Sequence, residues 1–343
     1  MKYFLNKIIF ASSTHLIPEA AINKITPIKK KFKTGDLIFT EVQEVGDYDQ
    51  IETKKGDLIS IKKGDVLGLI CSKRYATQAY HASLPQSPNK IQLVSLGGVA
   101  GTVIRENSVM QTPTKLSFVG LGAGEEKRAL NTFQFVLSPP SNPKDHIIAQ
   151  SKIILIVGSD MDVGKTNSAA TIIEVLTKEN YKIHAGKITG TSRFKDIFLF
   201  KKAGAQKILD FSWFGHPSTY GLSRKQLNSL FLNLFFHLSE SQPDYIVLEL
   251  ADGLLQKETA ELLLNIIKKN NVQLTIMNAK ESISALEGVC LLKRWGYKNI
   301  AISGKVTNSR LAIGEVQDKE NVPHFSSIKI DDFRKKYKTL LYL

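Results

Sequence analysis

The stretch "IILIVGSDMDVGKTNSAATIIEVL", residues 153–176, runs an apolar segment through a glycine-rich turn into a helical pattern. Apolar residues fill Ile153–Val157, and small or apolar side chains recur at helical spacing after Thr166. A buried strand, a tight loop ending in Gly-Lys-Thr and a helix form the context of a phosphate-binding loop. The stretch therefore predicts a nucleotide-binding fold.

The loop departs from the usual GxxxxGK[ST] pattern because its first glycine, Gly158, falls one place early. Backbone amides and the helix N-terminus can hold phosphate oxygens, while Lys165 neutralises the terminal phosphates and Thr166 ligates Mg²⁺. The chemistry predicts ATP and Mg²⁺ as cofactors. The predicted cofactor-binding positions in the loop are Gly158, Ser159, Asp160, Asp162, Val163, Gly164, Lys165, Thr166 and Asn167.

Two acidic residues distinguish this loop. The partitioning-ATPase variant, KGGxGKT, has its signature lysine at the position of Asp160, so membership in that group is disfavoured. A carboxylate beside phosphates can orient a cation, a lysine or an amine-bearing substrate. Asp162 has two interpretations: a carboxylate that orients a cation or an amine, or a solvated loop residue.

Residues 151–343 alternate apolar runs with amphipathic segments, which predicts an α/β fold with a P-loop NTPase-like, doubly wound parallel sheet. The predicted strands are Ile153–Val157, Lys182–Lys187, Lys207–Phe211, Tyr245–Glu249, Gln273–Asn278 and Asn299–Ser303. Ligands of such folds bind beyond the carboxyl ends of the strands. We therefore expect segments 158–166, 187–196 and 249–253 to converge.

The N-terminal half, 1–137, shows short β-branched and aromatic runs at regular spacing, typical of a small, mostly-β, barrel-like domain. Three Gly-Asp pairs are predicted to be turns: Gly35-Asp36, Gly56-Asp57 and Gly64-Asp65. The glycine-rich "SLGGVAGTV" is interpreted as strand and bulge. Three prolines and polar residues in 138–150 predict a linker.

Composition and net charge favour some classes of binding partner and disfavour others. The chain has 343 residues and a net charge of +14, which favours anionic ligands. No arginine-rich tract or aromatic-interleaved basic stripe occurs, which disfavours nucleic acid as a partner. Two isolated cysteines favour a reduced, cytoplasmic setting, and the absence of a long apolar run disfavours a membrane span.

The loop "GSDMDVGKT" resembles the GTDTxVGKT loop of dethiobiotin synthetase, the ATP-dependent ring-closing ligase of biotin synthesis. Three later segments resemble that family in the same order: "AGKITG" at 185–190, "IVLELADG" at 246–253 and "AISGKVTN" at 301–308. The resemblance covers about 151–325. The two-domain layout also resembles a group of P-loop proteins with no assigned function, which adds an architecture and no activity.

The resemblance implies roles for individual residues. Lys165 and Lys187 would be catalytic, Lys187 facing the substrate centre, and Asn308 would read the adenine edge. Glu249 and Asp196 would be catalytic carboxylates that hold the metal together with Thr166. Each implied residue has a structural alternative: a solvated strand-end charge for Lys187, a helix N-terminal residue for Asp196, a capping carboxylate for Glu249 and a turn former for Asn308.

The family's substrate-binding pattern is not preserved. Ile188 and Thr189 replace its proline and serine, and Leu250 and Asp252 replace glycines. A new substrate specificity is predicted in segment 208–223, where an aromatic-rich turn contains several hydrogen-bond donors: His216, Ser218, Thr219 and Tyr220. In the N-terminal half, "CSKRYATQAYHA" at 71–82 has two interpretations, an anion or second-substrate site, or an amphipathic connection with a surface histidine.

These observations favour an ATP- and Mg²⁺-dependent ligase-like enzyme that activates a small carboxylate- or amine-bearing metabolite by phosphoryl transfer. The alternatives are a small-molecule kinase and a nucleotide-switched P-loop binding module. A small-molecule substrate is the expected partner, and the resemblance makes a homodimer possible. The sequence leaves the substrate, the role of the N-terminal domain and the choice of ATP over another triphosphate open.

Overall fold

The computed structural model describes residues 7–27, 31–110, 112–125, 128–138, 152–267 and 269–342. The chain divides into two compact units. The first unit comprises 1–138 together with 191–195 and 211–221, and the second comprises 139–190, 196–210 and 222–343. Apart from Ser138, the predicted linker at 138–150 lies outside the described residues.

The first unit is built from short strands. Its strands are β1 (Ile8–Phe10), β2 (Lys24–Thr26), β3 (Leu37–Glu44), β4 (Gln50–Glu52), β5 (Leu58–Ser60), β6 (Val66–Cys71), β7 (Arg74–Tyr75), β8 (Tyr80–Ser83), β9 (Ile91–Ser95), β10 (Val99–Glu106) and β11 (Lys115–Ala123). The pairing order β6, β3, β11, β9 and β10 returns to β6, so these strands close into a barrel. Closure removes their free edges and confirms the mostly-β, barrel-like prediction.

Apolar side chains fill the barrel. The core cluster contains Ile38, Val42, Leu67, Leu69, Cys71, Ile91, Leu93, Ala100 and Leu116. Outside the closed ring, β1 pairs with β6 in parallel, and β8 and β7 extend the sheet from β10 in antiparallel pairing. The predicted bulge in "SLGGVAGTV" is present, because the β9–β10 register shifts between Val99 and Ala100.

The Gly-Asp pairs are turns, as predicted. Gly35 and Gly64 both have φ of 90°, a left-handed conformation that glycine adopts without steric cost. The carboxylates that follow them close the turns: Asp36 accepts from the amide of Lys33 and Asp65 from that of Lys62, both at 2.8 Å. These aspartates have the local structural role that turn chemistry predicts.

The second unit is a parallel sheet between helices, and it confirms the doubly wound α/β prediction. Its strands are β12 (Lys152–Gly158), β13 (Ile183–Lys187), β14 (Lys207–Asp210), β15 (Tyr245–Glu249), β16 (Val272–Asn278) and β17 (Ile300–Ser303). They lie in the order β14-β13-β15-β12-β16-β17, and every neighbouring pair is parallel. The carboxyl ends therefore share one edge, with β12 between β15 and β16.

The helices of this unit are α1 (Lys165–Lys178), α2 (Lys195–Ala203), α3 (Arg224–Ser239), α4 (Lys257–Glu261), α5 (Ser282–Arg294), α6 (Arg310–Gln317) and α7 (Ile330–Leu341). A π-helical turn, Leu262–Ile266, continues α4. Apolar residues of α1 and α7 pack on the sheet in one core, which includes Ile172, Ile173, Phe333 and Tyr337. Among the described residues, no helix is long and apolar enough to cross a membrane.

Candidate functional site

The loop between β12 and α1 has the backbone that phosphate binding requires. Gly164 precedes the helix with φ of 107°, and a β-carbon there would lie 3.0 Å from Gly304 Cα. The amide of Ser159 donates to the carbonyl of Asn278 at 2.9 Å, which ties the start of the loop to β16. Glycine at 164 is therefore required both for its conformation and for its close packing.

Lys165 lies folded onto the loop, with only 6% of its surface exposed. Its Nζ donates to the backbone carbonyls of Asp160 and Asp252, both at 2.6 Å. Burial lowers the pKa of Lys165, and the opposing attraction of Glu249 and Asp252 does not cancel this effect. A desolvated ammonium held only by carbonyl oxygens is prepared to exchange them for phosphate oxygens, which carry full charge.

Glu249 ends β15 and is 1% exposed. Its Oε1 accepts a hydrogen bond from Thr166 Oγ1 at 3.3 Å and lies 3.5 Å from Lys187 Nζ. Its Oε2 has no hydrogen-bond partner among the described residues. Burial raises the pKa of Glu249, while the positive charges of Lys187 and Lys165 oppose that rise. The second oxygen is thus a buried acceptor beside the P-loop threonine.

Lys187, the last residue of β13, forms an ion pair with Asp196 in the first turn of α2. Burial disfavours the charge on Lys187, but Asp196 and Glu249 outweigh it and raise the pKa of the lysine. Lys187 therefore stays protonated at neutral pH. Hydrogen bonds and ion pairs join Thr166, Lys187, Asp196 and Glu249 into one network, and Lys165 interacts with it through the charges of Glu249 and Lys187.

The residues predicted to hold Mg²⁺ match the preferences of that ion. A buried carboxylate oxygen without a partner and a threonine hydroxyl are hard oxygen donors, and Mg²⁺ takes its remaining ligands from phosphates and water. The described residues contain no group of three or more His, Cys, Asp or Glu side chains that could hold a metal alone. A phosphate ligand would supply the remaining oxygens of such a site.

Other predicted loop residues are placed differently. Val163 is buried, and its carbonyl accepts from the amide of Lys305 at 2.9 Å, while Asp162 and Asn167 are exposed. Asn308 is exposed at the end of the 3₁₀ turn Lys305–Asn308, which follows β17. Within the described ranges, no hydrogen bond or ion pair joins Asn308 to the lysine-carboxylate network. Its base-reading role stays a prediction.

Most of the predicted substrate segment, 208–223, belongs to the first unit, whereas 208–210 and 222–223 belong to the second. That unit includes 211–221, and therefore His216, Ser218, Thr219 and Tyr220. His216 is 9% exposed, its ring meets the Phe133 ring edge-on at 5.1 Å, and burial lowers its pKa to about 4. Ser218 forms a bridge with Thr191, which belongs to the same unit. The role of these residues in a substrate pocket stays a prediction.

Sequence reasoning missed a buried polar network beneath α1. Ser168 Oγ donates to Asn278 Oδ1 at 2.6 Å and lies 2.9 Å from Ser303 Oγ, and Asn278 donates to the Val157 carbonyl at 2.9 Å. The network joins the ends of β12, β16 and β17 to the P-loop helix. The sequence pattern that could have indicated this network is a polar residue at the end of each apolar strand, Asn278 on β16 and Ser303 on β17.

Gly253 brings the predicted segment 249–253 onto the P-loop, in agreement with the expected convergence at the carboxyl ends of the strands. A β-carbon at Gly253 would lie 2.4 Å from the Ser159 carbonyl, so the segment after β15 lies directly on the P-loop. The segment is held by side chains: Gln256 accepts from the amide of Asp252 at 2.9 Å, and Thr259 donates to the carbonyl of Ala251 at 2.7 Å. Segment 250–253 is thus part of the site.

Comparisons with solved structures find similarity to part of the chain. No family model matches the chain, and no curated protein matches it. The signal recognition particle receptor FtsY from Elizabethkingia anophelis is 15% identical, with a TM-score of 0.40 over 59% of this chain and 68% of the receptor chain. Its GDP complex is 14% identical, with a TM-score of 0.37 over 57% and 65% of the two chains.

The cell division protein FtsY from Thermotoga maritima is also similar in part. It is 15% identical, with a TM-score of 0.39 over 63% of this chain and 79% of that protein. These scores are too low to assign an activity to this chain. The fold and the contacts around Lys165 therefore remain the basis for its function.

Proposed function

We propose that this protein is a Mg²⁺-dependent P-loop nucleoside triphosphatase that works as a nucleotide-switched module. The observation that carries the proposal is the contact between Thr166 Oγ1 and Glu249, whose second oxygen is buried without a partner among the described residues. A phosphate-bound Mg²⁺ ion supplies the positive charge that this carboxylate lacks. Thr166 and Glu249 are the residues that would hold it.

Each charged residue has a defined task in triphosphate hydrolysis. Lys165 would leave the carbonyls of Asp160 and Asp252 and bind the terminal phosphates. Lys187, kept protonated by Asp196, would stabilise the charge that develops on the transferred phosphoryl oxygens. Mg²⁺, when bound, neutralises the triphosphate and polarises its oxygens.

The switch follows from the hydrogen bonds of Lys165. Its Nζ bonds to the carbonyl of Asp252, and a triphosphate that takes the lysine would break this bond. Segment 250–256 then loses one of its contacts with the P-loop and can adopt a second arrangement. Leu255 within that segment is 87% exposed, which makes it available to a partner in a nucleotide-dependent manner.

A second candidate is the ligase-like enzyme that the sequence favours. Lys187 also fits this reaction, because a second lysine beside Glu249 would bind the carboxylate of a small acceptor next to the transferred phosphoryl group. In that reaction the acceptor oxygen would attack the γ-phosphorus as the bond to the β-phosphate oxygen breaks. Product analysis separates the two: hydrolysis without an acceptor supports the switch, and phosphate release that depends on a metabolite supports the ligase.

The test is phosphate release and calorimetric binding with ATP and with GTP, each with and without Mg²⁺. Wild-type protein is expected to bind at least one triphosphate in a Mg²⁺-dependent manner and to hydrolyse it slowly. Lys165→Ala should lose binding, and Lys178→Ala, at the far end of the same helix, should retain it. Failure of the wild type to bind either triphosphate at millimolar concentration would overturn the proposal.

A further inference from the structure

A row of side chains crosses three strands of the first unit. Residues paired across antiparallel strands lie on the same face of a sheet, and successive residues alternate between faces. Tyr75 on β7 pairs with His81 on β8, and His81 pairs with Arg105 on β10. These three residues therefore occupy one face of the ribbon that extends beyond the barrel.

Burial agrees with this assignment of faces. Tyr75 is 38% exposed, Arg105 is exposed and His81 is half-buried. On the other face, Tyr80 is fully buried and Ala82 is 1% exposed. The row is therefore a surface feature and not part of the barrel core.

Tyr220 completes the surface from segment 211–221 of the same unit. Its ring stacks on Tyr75, with centroids 5.3 Å apart and planes 24° apart, and its Oη lies 3.2 Å from His81 Nε2. His81 also meets both tyrosine rings edge-on, at 5.5 and 5.6 Å. The aromatic rings are thus held in a fixed arrangement at the protein surface, which lowers the entropic cost of binding a planar ligand.

The charges of this face are positive. Arg105 lies in the row, and the exposed Lys73 lies beside Tyr220, since a β-carbon at Gly221 would be 3.9 Å from Lys73 Cδ. The acidic residue of β10, Glu106, pairs with Tyr80 and so belongs to the opposite face. We name the surface formed by Lys73, Tyr75, His81, Arg105 and Tyr220 the tyrosine face.

We propose that the tyrosine face binds single-stranded nucleic acid. Unpaired bases stack on aromatic side chains irrespective of sequence, and cations beside such a platform bind the phosphates. Bases inside a duplex are already stacked and cannot reach tyrosine rings on a flat sheet surface. The arrangement of rings and cations therefore favours single strands over duplexes.

The linear sequence could not show this surface. Its residues are separated by up to 147 positions between Lys73 and Tyr220, and strand pairing together with the stacking of Tyr220 on Tyr75 brings them together. The sequence disfavours nucleic acid because it has no continuous basic and aromatic tract, but a sheet assembles such a pattern across its strands. The inference deepens the proposed switch by naming the partner class of the first unit.

The experiment is fluorescence anisotropy of fluorescein-labelled 20-mers of uridine and of thymidine with the full chain, without nucleoside triphosphate. Wild-type protein is expected to bind, with affinity that falls as salt rises. Tyr75→Ala should weaken binding at least about fivefold, because one stacking position is lost. Tyr75→Phe should retain binding, since it keeps the ring, and Arg105→Gln should lower the salt slope by about 0.7.

Lys335→Gln is the control, since it removes an exposed cation of the second unit and should leave binding unchanged. Circular dichroism confirms that each variant is folded. The proposal is overturned if the wild type binds neither oligomer, if Tyr75→Ala binds normally, or if Lys335→Gln reduces binding as much as Arg105→Gln. Equal affinity for a duplex of the same length also overturns it. Because no triphosphate is present, such a failure leaves the proposed triphosphatase untouched.

Discussion

Thr166 Oγ1 donates a hydrogen bond to Glu249 Oε1 across 3.3 Å, and so joins the P-loop helix to the end of the neighbouring strand. The same carboxylate lies 3.5 Å from Lys187 Nζ. One buried acid therefore contacts both the residue that would hold Mg²⁺ and the lysine that would face the transferred phosphoryl group. The first three predictions concern this network.

Glu249→Gln should separate metal-dependent from metal-independent nucleotide binding. The amide keeps the shape of the side chain but removes the charge that Mg²⁺ requires, so affinity for the Mg²⁺ complex should fall at least about tenfold. Binding of the metal-free triphosphate should change little. Calorimetry with and without Mg²⁺ measures both, and Glu174→Gln on the surface of α1 is the matched control. Equal losses in the two titrations would contradict the metal role.

Lys165→Met should lose triphosphate binding without loss of stability. Burial lowers the pKa of Lys165, so its charge is costly in the fold, and an apolar chain of similar length removes that cost. We expect a melting temperature at or above that of the wild type and at least about a hundredfold weaker binding. Thermal unfolding and calorimetry test this. A variant that unfolds much earlier would show that the two carbonyl contacts stabilise the fold.

Gly253→Ala should distort the P-loop. The new β-carbon would lie 2.4 Å from the Ser159 carbonyl, so the backbone must move, at an expected cost of about 1–3 kcal/mol in the free energy of unfolding. Triphosphate binding should weaken as well. Gly314→Ala is the control, because a β-carbon there meets nothing within 4 Å. Unchanged binding in Gly253→Ala would exclude segment 250–253 from the site.

His216 should make the first unit sensitive to acid. Its pKa is about 4 in the folded protein and 6.5 ordinarily, so between these values the unfolded chain takes up a proton that the folded chain does not. The free energy of unfolding is therefore highest above pH 6.5 and falls as pH is lowered toward 4. The full loss of unfolding free energy caused by protonation of His216 is on the order of 3 kcal/mol.

The measurement for His216 is urea unfolding at several pH values, followed by Trp213 fluorescence in a Trp295→Phe background. Trp213 belongs to the first unit and Trp295 to the second. His216→Gln should reduce the acid-induced loss, whereas His237→Gln, whose imidazole lies 3.2 Å from Glu240, should not. The same loss in His216→Gln as in the wild type would contradict the prediction. Burial also lowers the pKa of His15 to about 4, so His15 should supply part of the remaining acid-induced loss of stability.

Local patterns in the sequence predict the second unit well. Strand β15 begins and ends at its predicted residues, because its apolar run is clear. Helix α2 has Asp196 in its first turn, which agrees with the structural alternative that the sequence offers for this residue. In α7 half of the residues are charged, and packing of Phe333 and Tyr337 on the core stabilises the helix.

Sequence reasoning predicts that distant segments meet at the strand ends, but not the individual contacts between them. The predicted residues Lys165, Lys187 and Glu249 lie at strand ends or in the loop, where a parallel sheet brings them to one edge. In contrast, the P-loop contact of Gly253 depends on close backbone packing, and the tyrosine face depends on strand register. Neither leaves a local pattern, since both join residues that are far apart along the chain.

The assignment of 191–195 and 211–221 to the first unit bears on how this protein can be dissected. Glu52 accepts from the amide of Phe194 at 2.5 Å, and the carbonyl of Gly215 accepts from Thr132 at 2.6 Å, so both segments are bonded into the β-rich unit. A fragment ending at Ser138 would expose these partners to water. The β-rich unit is therefore not contiguous along the chain, and a cut after Ser138 would remove part of it.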